Sequence, residues 1–196
     1  MDNKSKEIVN NHYSDLINKY GFNNSGMGWR KGGLDKRYKI FTRHINFKNK
    51  NILDFGCGIG SFYKFLKENK VSIKKYYAIE INPLLKNFIK KKFKNKINLI
   101  DNNFKNKKFD ITISNGVHNF KIKKILNIFF QDLNFLIKVT KYAIGISFIN
   151  NNVDYKENYL SYKNLDKIIK FIQRKKLKFI IDQTLNKYET FLFIIK

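Results

Sequence analysis

Asn51-Ile-Leu-Asp-Phe-Gly-Cys-Gly-Ile-Gly-Ser61 is the stretch that decides the fold. It opens with a short apolar run, Asn51–Phe55, that reads as a buried strand. It then passes through Gly56, Gly58 and Gly60 into Ser61–Asn69, which reads as a helix. Glycines between a strand and a helix let the backbone turn tightly and approach a ligand without a Cβ in the way. In an open α/β sheet that ligand sits beyond the carboxyl end of the strand. Glu80, near the end of the next strand (Lys75–Ile81), is placed to accept hydrogen bonds from both hydroxyls of a ribose.

Working outward, strands alternate with helices. Helices are expected over Lys4–Lys19, Leu34–His44, Pro83–Phe93 (with Asn82 as N-cap), Ile125–Val139 and Tyr162–Arg174. Further strands are expected at Ile97–Ile100, Phe109–Ser114 and Tyr142–Ile149. This alternation implies a parallel α/β sheet covered by helices on both faces. The last two strands, Leu177–Asp182 and Tyr188–Ile195, have no helix between them and should pair antiparallel at one edge. The expected fold class is therefore α/β, a three-layer Rossmann-like sandwich with a mostly parallel seven-stranded sheet ending in an antiparallel hairpin. No linker divides the chain, so residues 1–196 read as one domain, with 1–46 as an N-terminal helical cap and 47–196 as the core.

A glycine-rich turn alone does not separate the nucleotides that use it. Here the spacing is Gly-x-Gly-x-Gly, and Asp54 stands two residues before the first glycine. That carboxylate would repel the pyrophosphate of a dinucleotide and attract a ligand carrying an ammonium and a sulfonium. S-adenosylmethionine (SAM) is such a ligand. Asp54, Gly56, Gly58, Gly60 and Glu80 together resemble the SAM-binding motifs of class I methyltransferases. The order of Tyr13, Gly28-Trp29, Arg37-Tyr38, Phe109–Val117, Phe148–Asp154 and Tyr188-Glu189 is similar to small bacterial members associated with surface-polysaccharide biosynthesis. The resemblance implies methyl transfer from SAM to an oxygen or nitrogen of a small acceptor, such as a sugar or nucleotide-sugar. It covers nearly the whole chain and departs at His118, where an apolar or aromatic residue is expected.

The remaining candidates carry two readings each. Cys57 and Ile81 are expected among the cofactor-binding residues, with packing inside the glycine turn as the other reading of Cys57. Asp101 or Asn103, after the third strand, meets the adenine amino group in the register the resemblance implies; Asp101 has the chemistry and Asn103 the position. Arg37 either pairs with the SAM carboxylate or forms a helix salt bridge. Tyr13 and Trp29 cover the cofactor or serve as core aromatics. Asn115, following the fourth strand, contacts substrate or the methionine moiety, or is a turn residue. His118 is either a general base for an acceptor hydroxyl or a surface histidine opening a helix. His12 and His44 read as ordinary helix residues, with an acceptor-site position for His12 as the alternative.

The net charge of +25 has two readings as well. A polyanion partner, RNA above all, would use such a surface. Against it, arginine occurs only at 30, 37, 43 and 174, while Lys, Asn and Ile abound. These three residues share AT-rich codons, and phosphate or base recognition favours arginine. A nucleic-acid methyltransferase and a non-catalytic SAM-fold partner subunit are thus the rivals of a small-molecule enzyme. The Asp/Asn-Pro-Pro-Tyr motif of exocyclic-amine base methylation is replaced by Ser114-Asn115-Gly116-Val117. The lone Cys57 excludes an intramolecular disulfide or a cysteine-cluster zinc site, and no metal is expected. Apolar runs such as Ile125–Val139 and Phe179–Ile181 are interrupted or ended by Gln131, Asp132 and Asp182, so no membrane span is expected. Met1–Glu7 is polar, unlike a signal peptide, which makes a cytoplasmic location the expectation. The sequence leaves the oligomeric state open.

Overall fold

The computed structural model describes residues 1–29, 32–101 and 107–196. Helix α1 (Asn3–Tyr20) begins where the Asp2 carboxylate accepts a hydrogen bond from the Ser5 amide and stops at Gly21, with φ +79°. A short 3-10 turn, Ser25–Met27, leads to α2 (Gly33–His44). The core follows as β1 (Asn51–Phe55), α3 (Ser61–Glu68), β2 (Lys75–Ile79), α4 (Pro83–Phe93), β3 (Asn98–Leu99) and β4 (Phe109–Asn115). It is completed by α5 (Ile125–Val139), β5 (Thr140–Ile149), α6 (Leu165–Arg174), β6 (Lys178–Asp182) and β7 (Glu189–Ile195).

The seven strands form one sheet in the order β3-β2-β1-β4-β5-β7-β6. β1 to β5 run parallel, and β7 is antiparallel to both of its neighbours. The closing strands do form the expected hairpin, with β7 inserted between β5 and the edge strand β6. Side chains alternate between the two faces. Ile52, Ile111, Phe191 and Phe193 join the core under α2, α3 and α4, whereas Leu53, Phe109, Leu192 and Ile194 join the core under α5 and α6. Burial on both faces is why these strands read as continuous apolar runs.

Strand ends shift by up to two residues, β2 stopping at Ile79 so that Glu80 follows it, and two differences among the helices bear on the site. Helix α6 begins at Leu165, not Tyr162, because Asn164 caps it through the Lys167 amide and Lys163 is drawn into an extended bridge beside Asn150. Helix α2, expected in the cap, instead packs within the helical layer, its Phe41 ring against Phe191 and Phe193. Only α1 and the 3-10 turn lie over the strand ends, where Ile17 and Met27 meet Ile59 and Leu85.

Candidate functional site

The loop after β1 is tied to the end of β2. The amides of Gly56 and Cys57 both donate to the Ile79 carbonyl, at 2.8 and 3.2 Å. Gly56 has φ +77°, and a Cβ there would lie 2.4 Å from Val117 Cγ2, so this position admits only glycine. A Cβ at Gly58 would meet Met27 Cε at 3.0 Å. Part of the need for glycine thus comes from the protein's own cover over the loop.

Two buried carboxylates face this loop. Asp54, 3% exposed, accepts a 2.5 Å hydrogen bond from the Tyr76 hydroxyl. Burial pushes its carboxyl up to about 7; the Tyr76 bond opposes this and the nearby Glu80 adds to it. Glu80 accepts three backbone N–H bonds: Gly58 to Oε2 at 2.9 Å, and Ile81 and Asn82 to Oε1 at 2.7 and 2.9 Å. Burial raises its pKa and those three amides hold it back. Neither carboxylate has a salt-bridge partner among the described residues. Buried anions without a counter-charge are costly. In a chain of net charge +25 this pair makes a local electronegative floor, suited to a ligand that brings positive charge.

That floor belongs to an inner cavity of about 210 Å³ lined by Asp54, Gly56, Cys57, Gly58, Glu80, Ile81 and Asn115. Tyr13, Met27 and Trp29 cover it. Burial and the Glu80 charge push the Tyr13 hydroxyl up to about 12, so it stays protonated. The loop glycine Gly60 has φ +75° and turns the chain into α3, beside Phe93.

An outer cavity of about 670 Å³ adjoins it and shares Tyr13, Met27, Trp29, Gly116 and Phe120 as a common wall. Its far side is built from Val153 to Tyr162 and from Asn186 to Glu189. Trp29 lies beneath the Arg37 guanidinium at 4.6 Å and so close to Gly116 that a Cβ there would fall 2.7 Å from the indole. Among the described residues no lysine lines the outer cavity, and Arg37 is the arginine that does.

Several expected contacts are relocated. Arg37 faces the outer cavity, not the inner one, and is engaged on both sides of its fork. Nε and Nη2 donate to the Glu189 carboxylate at 2.6 and 2.5 Å, while Nη1 donates to the Gly33 carbonyl at 2.7 Å. The salt bridge runs from α2 to β7, not along the helix, because inserting β7 beside β5 brings Glu189 under α2. His118 is neither a surface residue nor a wall of either cavity. Gly116, with φ +70°, turns the chain so that the imidazole lies between Phe55 and Phe129, 4% exposed and 2.8 Å from an Asp132 oxygen. This burial corrects the reading of His118 as a surface histidine, and its partner Asp132 lines the inner cavity. Asp101 is exposed and sits 3.5 Å from Lys86, off the inner cavity. Asn103 lies outside the described residues. Asn115 lines the inner cavity, its Oδ1 accepting from the Ser147 hydroxyl at 2.7 Å.

Sequence reasoning assigned no role to Tyr76, Met27 or Glu189. Tyr76 had a usable signal, since parallel pairing of β1 with β2 sets it beside Ile52, two residues before Asp54. Glu189 was part of the motif order that carries the resemblance but had no assigned role, and Met27 had no signal, being brought in by the 3-10 turn.

A family model described as a methyltransferase domain matches residues 29–131, more than half of the chain. No curated protein matches the sequence. Among solved structures, magnesium protoporphyrin IX methyltransferase from Synechocystis PCC 6803, crystallised with S-adenosylhomocysteine (SAH), is 14% identical. The alignment covers 97% of this chain and 99% of that one, with a TM-score of 0.69. A SAM-dependent methyltransferase from Archaeoglobus fulgidus is also 14% identical, covering 94% and 100% of the two chains at a TM-score of 0.66. A glycopeptide N-methyltransferase is 8% identical over 82% of this chain and 89% of that one, at a TM-score of 0.63.

Proposed function

This chain belongs to the methyltransferase-domain family and is a SAM-dependent methyltransferase, and from that premise we propose that it methylates a small, uncharged acceptor held in the outer cavity. SAM supplies an electrophilic methyl group on a sulfonium. Its fit to the inner cavity rests on Asp54 and Glu80, two buried carboxylates with no salt-bridge partner among the described residues. Glu80 Oε2, with a single backbone donor, is the oxygen left for ribose hydroxyls. Tyr13 stands at the wall between the cavities, and Asn115 lines the inner one beside Gly116 of that wall. The residues' main contribution is orientation, which in well-aligned reactions is worth roughly 7–11 kcal/mol.

What carries the acceptor reading is the cluster of tyrosines and acids on the described wall of the outer cavity, in a chain this rich in lysine. A groove for RNA would place cations along the path of the phosphates. This cavity instead presents Tyr155, Tyr159, Tyr162 and Tyr188, together with Asp154, Glu157 and Glu189. Aromatic faces and hydrogen-bonding groups suit a sugar ring, and the acids disfavour its nucleotide-linked form. The volume falls in the roughly 300–1,000 Å³ range of small-molecule sites.

The test is methyl transfer from radiolabelled SAM to free sugars, nucleotide-sugars and RNA in parallel. Label on free sugars is expected, with no inhibition by added RNA at physiological salt. Label on RNA alone, falling steeply with salt, would replace this reading with the polyanion one.

A further inference from the structure

We infer that His12 is the general base of this enzyme and that the acceptor it serves is a hydroxyl group. The inference deepens the outer-cavity reading above and rests on it.

Of the three histidines, two are committed. His118 is bonded to Asp132, and His44 Nε2 lies 2.8 Å from Asp182. His12 differs from both. It is half-buried on α1 and lines the outer cavity beside Tyr13, which lines both. Its ring stacks on Phe120 with centroids 4.0 Å apart and planes 18° apart, and Phe120 too belongs to the common wall. Tyr13 packs edge-on at 5.2 Å. The imidazole is thus clamped in orientation, yet among the described residues no protein group hydrogen-bonds to it. A clamped ring with free nitrogens at the wall between two ligand cavities is placed to receive a proton.

Its surroundings keep it neutral. Burial lowers its pKa, with only Asp15 on the same helix pulling the other way. The charged groups across the cavity largely cancel one another: Arg37 against Glu189, and Lys187 against Asp154, which also accepts from the Tyr188 hydroxyl. Glu157 and the tyrosines at 155, 159 and 162 complete the titratable set. An ammonium acceptor would want an unpaired carboxylate deep in the cavity. Asp154 and Glu189 are both already paired, and Glu157 is exposed.

A hydroxyl is a weak nucleophile until its proton is leaving. In the step, the acceptor oxygen forms a bond to the methyl carbon while the carbon–sulfur bond breaks and its electron pair stays on sulfur. The hydroxyl proton passes to a ring nitrogen of His12 and from there to water.

The test has two arms on the full-length protein. Diethyl pyrocarbonate labelling, read by peptide mass spectrometry, should modify His12 ahead of His44 and His118, with a pH midpoint below about 6.5. Slower labelling of His12 than of the other two would overturn its exposure to the cavity. In the second arm, turnover is measured on a panel of methyl pyranosides and the corresponding aminopyranosides, with SAH affinity by calorimetry. His12→Ala and His12→Gln should each lower kcat about 10²–10⁴-fold, leave SAH affinity within about twofold, and erase the rise of kcat with pH. Wild-type kcat in either variant, or a persisting pH inflection, would overturn the base. Methylation of the amines alone would overturn the hydroxyl class. Failure of the wild type to bind SAH would instead remove the reading on which this one rests.

Discussion

The inner and outer cavities share a wall but are made in opposite ways. The floor of the inner one comes from a single β-strand–turn–helix and the end of the neighbouring strand, so its two carboxylates and its glycine loop lie between Asp54 and Glu80 in the chain. The outer one is gathered from α1, the 3-10 turn, the segment before α6 and the start of β7, and its central ion pair spans 152 positions. The inner cavity presents buried charge without a protein partner. The outer cavity neutralises its charge internally and offers aromatic faces. On the proposed assignment, local construction shapes the cofactor site and long-range assembly the acceptor site.

The largest effect should come from the inner cavity. Glu80→Ala removes the acceptor of three backbone amides and a ribose contact together. We expect SAH affinity to fall roughly 100-fold or more, about 3 kcal/mol, with a clearly lower melting temperature. Calorimetry and thermal melts read both, and an unchanged affinity would break the assignment of this cavity to the cofactor.

Next comes the pair that organises the outer cavity. Glu189→Ala leaves Arg37 without its partner, at a cost of about 3–5 kcal/mol if the site stays as enclosed as it is. The Arg37→Ala/Glu189→Ala double variant should recover part of that loss. Acceptor KM should rise while SAH affinity holds. A parallel collapse of both affinities would mean that the two cavities are one unit.

The smallest effect concerns Asp54 and pH. Its carboxyl is raised from 3.8 to about 7 in the folded protein, so folding favours the protonated form. That contribution is full below about pH 4 and is lost as pH climbs through 7. A cationic ligand favours the ionised form, so SAM affinity should rise over the same window. Asp54→Asn should flatten both trends and melt above the wild type at about pH 8. Melts and titrations at low and high pH read this, and an Asn variant with the wild-type pH profile would exclude Asp54 as the titrating group.

The same contrast explains what was legible in the sequence. The alternation of elements, the hairpin ending and the glycine loop depend on short-range pattern, and the sheet follows it nearly residue by residue. Arg37 was noticed but misassigned, because helix spacing suggests partners three or four residues away and its real partner arrives with β7. His118 was placed correctly along the chain and wrongly in space, since the left-handed turn at Gly116 points its ring back toward α5. Tyr13 and Trp29 were read as cover for the cofactor; their contact with the second cavity depends on where residues 153–162 settle, which no local spacing encodes.

The shared wall has a thermodynamic consequence. Tyr13, Met27, Trp29, Gly116 and Phe120 border both spaces, so a ligand that shifts any of them on one side alters the free energy of occupancy on the other. Such linkage is reciprocal: whatever factor the cofactor imposes on acceptor affinity, the acceptor imposes on the cofactor. Exchange of SAM for SAH removes one positive charge. If the outer cavity holds the acceptor, Trp29 and the Arg37 stacked on it are the groups through which that exchange would change the product's affinity.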